Sequence, residues 1–540
     1  ARRQRQMCIR DSNSCVESST FKISLQKKYT KENLAMHVII QAGGKGTRLE
    51  GLTRNRPKCL VPVNNRPLIF WAFEAFKEHD IIVICDYKQD ALKRYLAAFG
   101  PQYRVQVISA DGKGTVSGIG KSCALFDDDA PVVVLWCDLL FDRGWAIPAV
   151  MTEASLQSNL VGLSGTFPCR WSFENRQFKR EASSASGVAG FFVFKNKREL
   201  EGIPRDGAFV PWLAETKKEF LPFYLENITE VGTVKAFEVL NKPSVCRPFN
   251  EVLFNEETVS KRGVDDQGRK IAVDEIAWYK HVQALGFAAI PKIHSFEPLV
   301  MERIKGRNIW EYDCLTVSEK KRVIDSIIVG LRELHQLENA RPAIVADLEE
   351  NYVTKTFSRL EKVGDLVPFA RDEYIRINGR YYKNIFYDRE SLANILRERY
   401  PKDFRLIHGD PTFSNMLYDR LHGKVFFIDP RGYFGKTKLY GDVDYDWAKV
   451  YYSLVGNYDQ FNRKKFALEI SEKGVELSVK PNNWSDMEDY FFERLESVSK
   501  TKIRALHAVI WLSLTTYAWE DYDSICGAFY NGILKSADFL

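Results

Sequence analysis

The chain lacks the features that would place it outside ordinary folded proteins. Its 540 residues contain ten cysteines and eight histidines, with no Cys-x-x-Cys pair and no paired His/Cys spacing. Neither a structural zinc site nor a disulfide framework is expected, and the cysteines read as reduced core residues of a cytoplasmic protein. No apolar run approaches the ~20 residues that a bilayer-spanning helix needs. Runs such as Ile81–Cys85, Val132–Cys137 and Ala508–Leu512 are far shorter, so a membrane-spanning protein is excluded. Internal repeats and low-complexity segments are also missing. What is present is 45% hydrophobic, 13% aromatic and 27% charged residues, the profile of a folded enzyme, at a length that predicts two or more domains.

The formal net charge of +6 is concentrated at one end. Residues 1–35 carry eight Lys/Arg against Asp11, Glu17 and Glu32, a balance of +5. The remainder is almost neutral, so no basic face for a nucleic acid is expected. The leader has no apolar stretch after its basic start, which excludes a secretory signal. Its opening resembles translated adapter read-through, and Met36 is the expected native start.

From His37 the chain reads as strand, glycine turn, helix. His37–Gln41 is a short buried strand, Ala42–Arg48 a glycine-rich turn, and 67–79 a helix. Further strands are predicted at Ile81–Cys85, Val105–Ile108, Val132–Cys137, Leu160–Leu163 and Gly190–Phe194. Strands alternating with helical segments predict an α/β doubly wound, mostly parallel sheet. Two prolines mark a link at 243–249, dividing the chain into domains 36–242 and 250–540. The second begins with strands around one helix from Asp274 to Leu285 and becomes mainly helical after Thr316. There Thr316-x-x-Glu319 is a capping box. Asn378-Gly379 signals a small hairpin.

Glycines directly after a strand let backbone N–H groups approach phosphates. Here Gly43, Gly44, Gly46 and Thr47 precede Arg48, a candidate clamp for the β and γ phosphates of a nucleotide. Lys58, after Pro57, would add a second positive charge at the developing pentavalent phosphorus. The combination Gly-x-Gly-Thr-Arg with Pro-Lys resembles the nucleotidyltransferase family that makes nucleotide-activated sugars and alcohols, with a Rossmann-like fold. The resemblance implies that Gly114-Thr115 contacts the base, and that Asp138 and Glu230 bind Mg2+. Glu230 stands where that family has Asp. Lys179 could grip an acceptor phosphate or be an ordinary surface lysine.

In the second half, His408-Gly409-Asp410 is followed by Asn415 and then by Asp429 at the end of an apolar run. One Asp can accept the proton of an attacking hydroxyl, while the Asn and the second Asp hold Mg2+ on the transferring phosphates. This resembles the aminoglycoside phosphotransferase and choline kinase family, with a two-lobed, protein-kinase-like fold. The resemblance implies that Lys261 contacts the ATP phosphates and that Glu275 pairs with it. Met301–Gly306 resembles the hinge between lobes. Protein-kinase Gly-x-Gly-x-x-Gly, Asp-Phe-Gly and Ala-Pro-Glu signatures are absent, which favours a small-molecule kinase. His408 reads as structural. Asp442 and Asp446 are either acceptor ligands or helix caps, and Trp511, Tyr517, Trp519 and Tyr522 are either a cage for a quaternary ammonium or core.

Two such sites compose a sequence of reactions. A kinase converts an alcohol or sugar and ATP to a phosphate ester, and a nucleotidyltransferase couples that ester to a second NTP, releasing pyrophosphate. The pairing resembles bacterial machinery that activates building blocks for surface polysaccharide or lipid, with CTP and a CDP-choline-type product as the leading example. A sugar kinase feeding a sugar-1-phosphate uridylyl-, guanylyl- or thymidylyltransferase is the alternative. An antibiotic-modifying kinase is disfavoured by the fused transferase, and a non-enzymatic nucleotide sensor by the intact Arg48, Lys58, Asp138, Asp410, Asn415 and Asp429.

Overall fold

The computed structural model describes residues 36–126, 129–151, 156–241 and 250–539. The leader 1–35 and the link 243–249 lie outside the described residues. Among those described, every cysteine is free, and no helix is long and apolar enough to cross a membrane.

The N-terminal half is built on a nine-stranded mixed sheet. Its centre is parallel: His37–Gln41 lies between Asp80–Cys85 and Val132–Trp136, and Val105–Ser109 extends the edge. These strands read as unbroken apolar runs because helices and loops cover both faces, so that Val38, Ile39 and Ile40 are all fully buried. Gly187–Phe194 joins antiparallel and carries the sheet on toward Asn159–Ser164 and Phe220–Tyr224. The helix expected at 67–79 spans only Leu68–Ala75, since Phe76 leaves helical geometry at φ −119° and packs edge-on to Phe141. Loops following the parallel strands gather at their C-terminal ends, where open α/β sheets bind ligands.

The C-terminal half has two lobes. Four antiparallel strands run in the order Asn250–Phe254, Thr258–Gly263, Leu299–Glu302, Ile293–Phe296. The helix packed on them is Asp266–Ala284, starting well before Asp274. Asp265 caps it by accepting from the Gly268 amide at 2.8 Å, a signal that the apolar pattern alone does not carry. The second lobe is helical, with Val317–Gln336, Val443–Leu454, Lys500–Leu514 and Tyr522–Ser536 as its principal elements. Thr316 and Glu319 form the expected capping box. Asn378 and Gly379 turn the hairpin Tyr374–Ile377/Arg380–Lys383, both at positive φ, as a tight hairpin turn requires.

The halves are docked on one another. Arg56 is buried in an ion pair with Asp521 and lies 3.4 Å from Asp523. Asn55 bonds the Leu468 carbonyl at 2.9 Å and the Ile470 amide at 3.2 Å. Tyr95 donates to the Trp519 carbonyl, and the Trp519 ring packs against Phe70 and Phe99.

Candidate active sites

The N-terminal site grows from the end of His37–Gln41. Gly43 and Gly44 lead into Gly46, where a φ of +64° and close packing on Lys58 would strain any side chain. A Cβ there would lie 3.0 Å from the Lys58 Cβ. This packing seats the glycine turn against Lys58 and Thr53. Gln41 donates to the carbonyls of Thr115 and Ser117 at 2.8 and 2.9 Å, tying the Gly114-Thr115 loop to the strand that launches the glycine turn. Gly114 has φ +85°, and a Cβ would lie 2.1 Å from the Gly207 carbonyl oxygen. Thr115 Oγ1 accepts from the Phe209 amide at 2.8 Å.

Asp138 and Glu230 become neighbours through a short antiparallel pairing of Leu139–Phe141 with Ile228–Glu230, in which Leu139 faces Glu230. Lys58 Nζ lies 2.5 Å from Asp138, and Arg48 lies 3.3 Å from Glu230. Burial and the adjacent Asp138 charge push the Glu230 carboxyl up, against the pull of Lys58 and Arg48. Two oxygen donors held this close suit a hard divalent cation whose other ligands are phosphate and water. The Gly232-Thr233 pair that marks Glu230 in the sequence has its own local role. Thr233 caps Val234–Leu240 by accepting from Ala236 at 3.2 Å. Lys179 pairs with Glu174 at 3.3 Å on an exposed hairpin.

The C-terminal site joins residues far apart in sequence. Lys261 on Thr258–Gly263 lies 2.9 Å from Glu275 and 2.6 Å from Asp429. Burial by itself would lower the Lys261 ammonium, but the two carboxylates raise it. Burial and Asp429 push Glu275 up despite Lys261. Asp429 is drawn down, because Lys261 outweighs its burial. Asp410 accepts from Asn415 Nδ2 at 3.0 Å and lies 2.8 Å from Lys449. The amide nitrogen of Asn415 is thus spent on Asp410, which turns its oxygen away as the donor that could accompany Asp429 on a cation.

Asp446 fixes this loop from below. It accepts from the His408 and Gly409 amides at 2.9 and 2.7 Å and holds His335 at 2.9 Å. His408 links two loops, its Nδ1 accepting from the Asp410 amide and its Nε2 donating to the Ile428 carbonyl. Burial lowers its pKa, so the neutral ring serves as a strut. Asp442 is buried against Lys502 at 2.8 Å and Tyr352 at 2.9 Å, and so is committed to the fold. The aromatic cage does not form: Trp511 is buried against Tyr452 and Phe461, while Trp519 sits at the junction of the halves. Among the described residues no three His, Cys, Asp or Glu cluster as a metal site, so Asp138 with Glu230, and Asn415 with Asp429, would each depend on phosphate oxygens to complete coordination.

One cavity of about 2040 Å³ lies between the halves. Asp410, Asn415 and Asp429 line one part of it, and Leu52, Arg54 and Arg143 another. Lys449, Arg431, Lys355 and Arg359 also face it, and none was singled out by sequence motif. Isolated Lys and Arg in helical segments carry no pattern that separates them from surface charges.

Residues 38–163 match the MobA-like NTP transferase domain, and residues 267–465 match the phosphotransferase enzyme family. The mannose-1-phosphate guanyltransferase of Emericella nidulans is 32% identical over 114 residues, covering 20% of this chain and 31% of that protein. The choline-phosphate cytidylyltransferase of Streptococcus pneumoniae is 42% identical over 79 residues, 14% of this chain and 33% of the relative. The chain thus spans about a third of the length of these relatives. The solved structure of CTP:phosphocholine cytidylyltransferase from Streptococcus pneumoniae aligns at 20% identity and a TM-score of 0.29, covering 38% of this chain and 98% of that one. The family matches assign residues 38–163 to a MobA-like NTP transferase domain and residues 267–465 to a domain of the phosphotransferase enzyme family.

Proposed function

We propose that the chain phosphorylates the hydroxyl of a small molecule with ATP and then couples the phosphate ester to a second nucleoside triphosphate, releasing pyrophosphate. The observation that carries this reading is the pair of assembled residue sets on one chain: Lys58 with Asp138 and Arg48 with Glu230 in the N-terminal half, and Asp410 with Asn415 and Lys261 with Asp429 in the C-terminal half. In the first step Asp410 takes the hydroxyl proton as oxygen attacks the γ-phosphorus, Lys261 holds the nucleotide phosphates, and Glu275 orients Lys261. In the second, the ester phosphate attacks the α-phosphorus of the NTP. The glycine turn with Thr47 cradles the triphosphate, Gly114-Thr115 faces the base, and Arg48 and Lys58 stabilise the leaving pyrophosphate. Mg2+ at Asp138/Glu230 and at Asn415/Asp429 would neutralise charge on the transferring phosphates.

CTP is the second nucleotide we favour, because the choline-phosphate cytidylyltransferase and the CTP:phosphoglutamine cytidylyltransferase of Campylobacter jejuni are both 42% identical over their matched segments. The product would serve surface polysaccharide or lipid decoration. The second reading, a sugar-1-phosphate route with GTP, is favoured by the longer match to the guanyltransferase. The deciding experiment offers the chain ATP, each NTP in turn and pooled hydroxy compounds, with ADP and pyrophosphate followed and nucleotide conjugates identified by mass spectrometry. A cytidine conjugate is expected; a guanosine conjugate supports the second reading, and pyrophosphate release that never depends on ATP overturns the sequence of steps.

A further inference from the structure

The wall of the cavity next to Asp410 is cationic. Lys355 and Arg359 stand one turn apart on Lys355–Val363, and Arg431 follows Asp429 by two positions on the loop opposite. All three line the cavity together with Asp410 and Lys449. Lys449 is answered by Asp410 at 2.8 Å. The other three have no carboxylate within ion-pair distance among the described residues. Lys355 donates to the Asn351 side chain at 2.8 Å, Arg359 to the Ser513 carbonyl at 2.6 Å, and Arg431 to the Tyr445 hydroxyl at 3.2 Å while lying over the Tyr433 ring.

Three half-buried basic side chains facing one space, each bonded only to neutral groups, oppose one another's charge in a medium that screens poorly. Burial together with Arg431, Arg359 and Lys449 lowers the Lys355 ammonium to about 6, with Glu350 opposing. The nucleotide phosphates have their own cation in Lys261, on the other side of Asp429. The carboxylates lining this part of the cavity are Asp410 and Asp429, already paired with Lys449 and Lys261, and Asp459, which burial pushes up to about 6. What this wall lacks is an anion.

We infer that Lys355, Arg359 and Arg431 form a subsite for an anionic group, carboxylate or phosphate, on the molecule whose hydroxyl Asp410 activates. The acceptor is then a hydroxy acid or an already phosphorylated alcohol or sugar, and a quaternary ammonium alcohol is disfavoured by the charges of Arg359 and Arg431. This inference rests on the reading of the C-terminal site as a phosphotransferase centre.

The test titrates sulfate into the full chain holding Mg2+ and the non-hydrolysable analogue AMP-PNP, which fills the γ-phosphate position, and follows heat and the unfolding midpoint. Saturable sulfate binding is expected, weakened at least tenfold in Arg359→Gln, retained in Arg359→Lys, and without counterpart for tetramethylammonium or glycerol. Sulfate binding that disappears when AMP-PNP is present gives the subsite to the γ-phosphate and overturns the inference, as does binding equal in Arg359→Gln and wild type. Arg431→Gln repeats the test from the other wall should Arg359→Gln fail to fold. Acceptor-dependent ADP release, abolished in Asp410→Asn, tests the underlying phosphotransferase reading separately. Its failure removes that reading, whereas turnover of choline or glycerol with no preference for hydroxy acids removes only the anionic subsite.

Discussion

In the proposed scheme the two sites face the same problem, holding the charge of a triphosphate, and they differ in chain architecture. In the N-terminal half the phosphate-facing groups are local: a glycine turn, Arg48 and Lys58 fall within one short segment, and Arg48 stays about half exposed at 48%. In the C-terminal half Lys261, Glu275 and Asp429 come from a strand, a helix and a distant loop, and Lys261 is only 15% exposed. Each nevertheless pairs one lysine with the carboxylate expected to meet the metal, Lys58 with Asp138 and Lys261 with Asp429. A lysine in that place fixes the orientation of the carboxylate before nucleotide arrives. The open site relies on backbone and nucleotide to complete itself, whereas the closed site is preorganised by side chains.

Separating the halves has the largest expected effect. Arg56→Met leaves Asp521 and Asp523 buried beside Lys464 but without their partner across the junction, and should cost about 3–5 kcal/mol, as removal of one member of a buried ion pair does. The exposed pair Arg54–Glu469 at 3.4 Å is the control, worth less than about 1 kcal/mol. Denaturant unfolding checks both. Equal effects of Arg56→Met and Arg54→Ala would show that the junction contributes no more than a surface contact.

Asp410→Asn sharpens the comparison from the closed side. It keeps the shape beside Asn415 and Lys449 but removes the proton acceptor, and phosphorylation of the free hydroxy compound should fall about a thousandfold. Coupling of the pre-phosphorylated compound to the NTP should be unchanged, and a parallel loss in a folded protein would sink the sequential scheme. From the open side, Arg48→Ala should reduce pyrophosphate release by about a hundred- to a thousandfold while ADP formation continues. Glu230→Gln should make phosphate ester accumulate when both nucleotides are present, which a time course of ester and conjugate reads directly.

The same contrast explains what was legible in the sequence. Gly43 to Lys58 is a contiguous pattern because a turn that must admit phosphate constrains neighbouring positions, and the parallel strands are visible because they are apolar on both faces. Asp410, Asn415 and Asp429 were legible for the same local reason, lying on one loop and the hairpin Met416–Asp419/Lys424–Phe427. What stayed hidden is three-dimensional. Asp446 supports the Asp410 loop from the first turn of a helix, where a carboxylate reads equally as a cap. Trp519 reads either as a cage residue or as core, because periodicity cannot tell a pocket from a junction between halves. The charges of Lys355, Arg359 and Arg431 acquire meaning only when two segments some seventy positions apart, on the scale of a tertiary contact, face one space.

The smallest effect tests that hidden wall through its protons. In the ligand-free chain Lys355 is held down to about 6 from an ordinary value of 10.5, first by burial and then by Arg431, Arg359 and Lys449. Between those values the unfolded chain binds this proton and the folded chain does not, so this lysine makes the free protein less stable as pH falls across the window, and the penalty is complete below about 6. A bound oxyanion reverses the preference by favouring the ammonium. Sulfate, which does not titrate here, should therefore bind with proton uptake at pH 8, and its affinity should fall by at most about tenfold per pH unit above 6. Asp459 ionises near the same pH and would also weaken an anion as pH rises, while Asp410 is held by Lys449 and Glu350 acts on Lys355 from the opposite sign. Lys355→Met separates them: proton uptake, read from calorimetry in two buffers of different ionisation enthalpy, should vanish in that variant. Uptake that persists in Lys355→Met would move the titration to Asp459 and leave Arg359 and Arg431 as the charges that hold the anion.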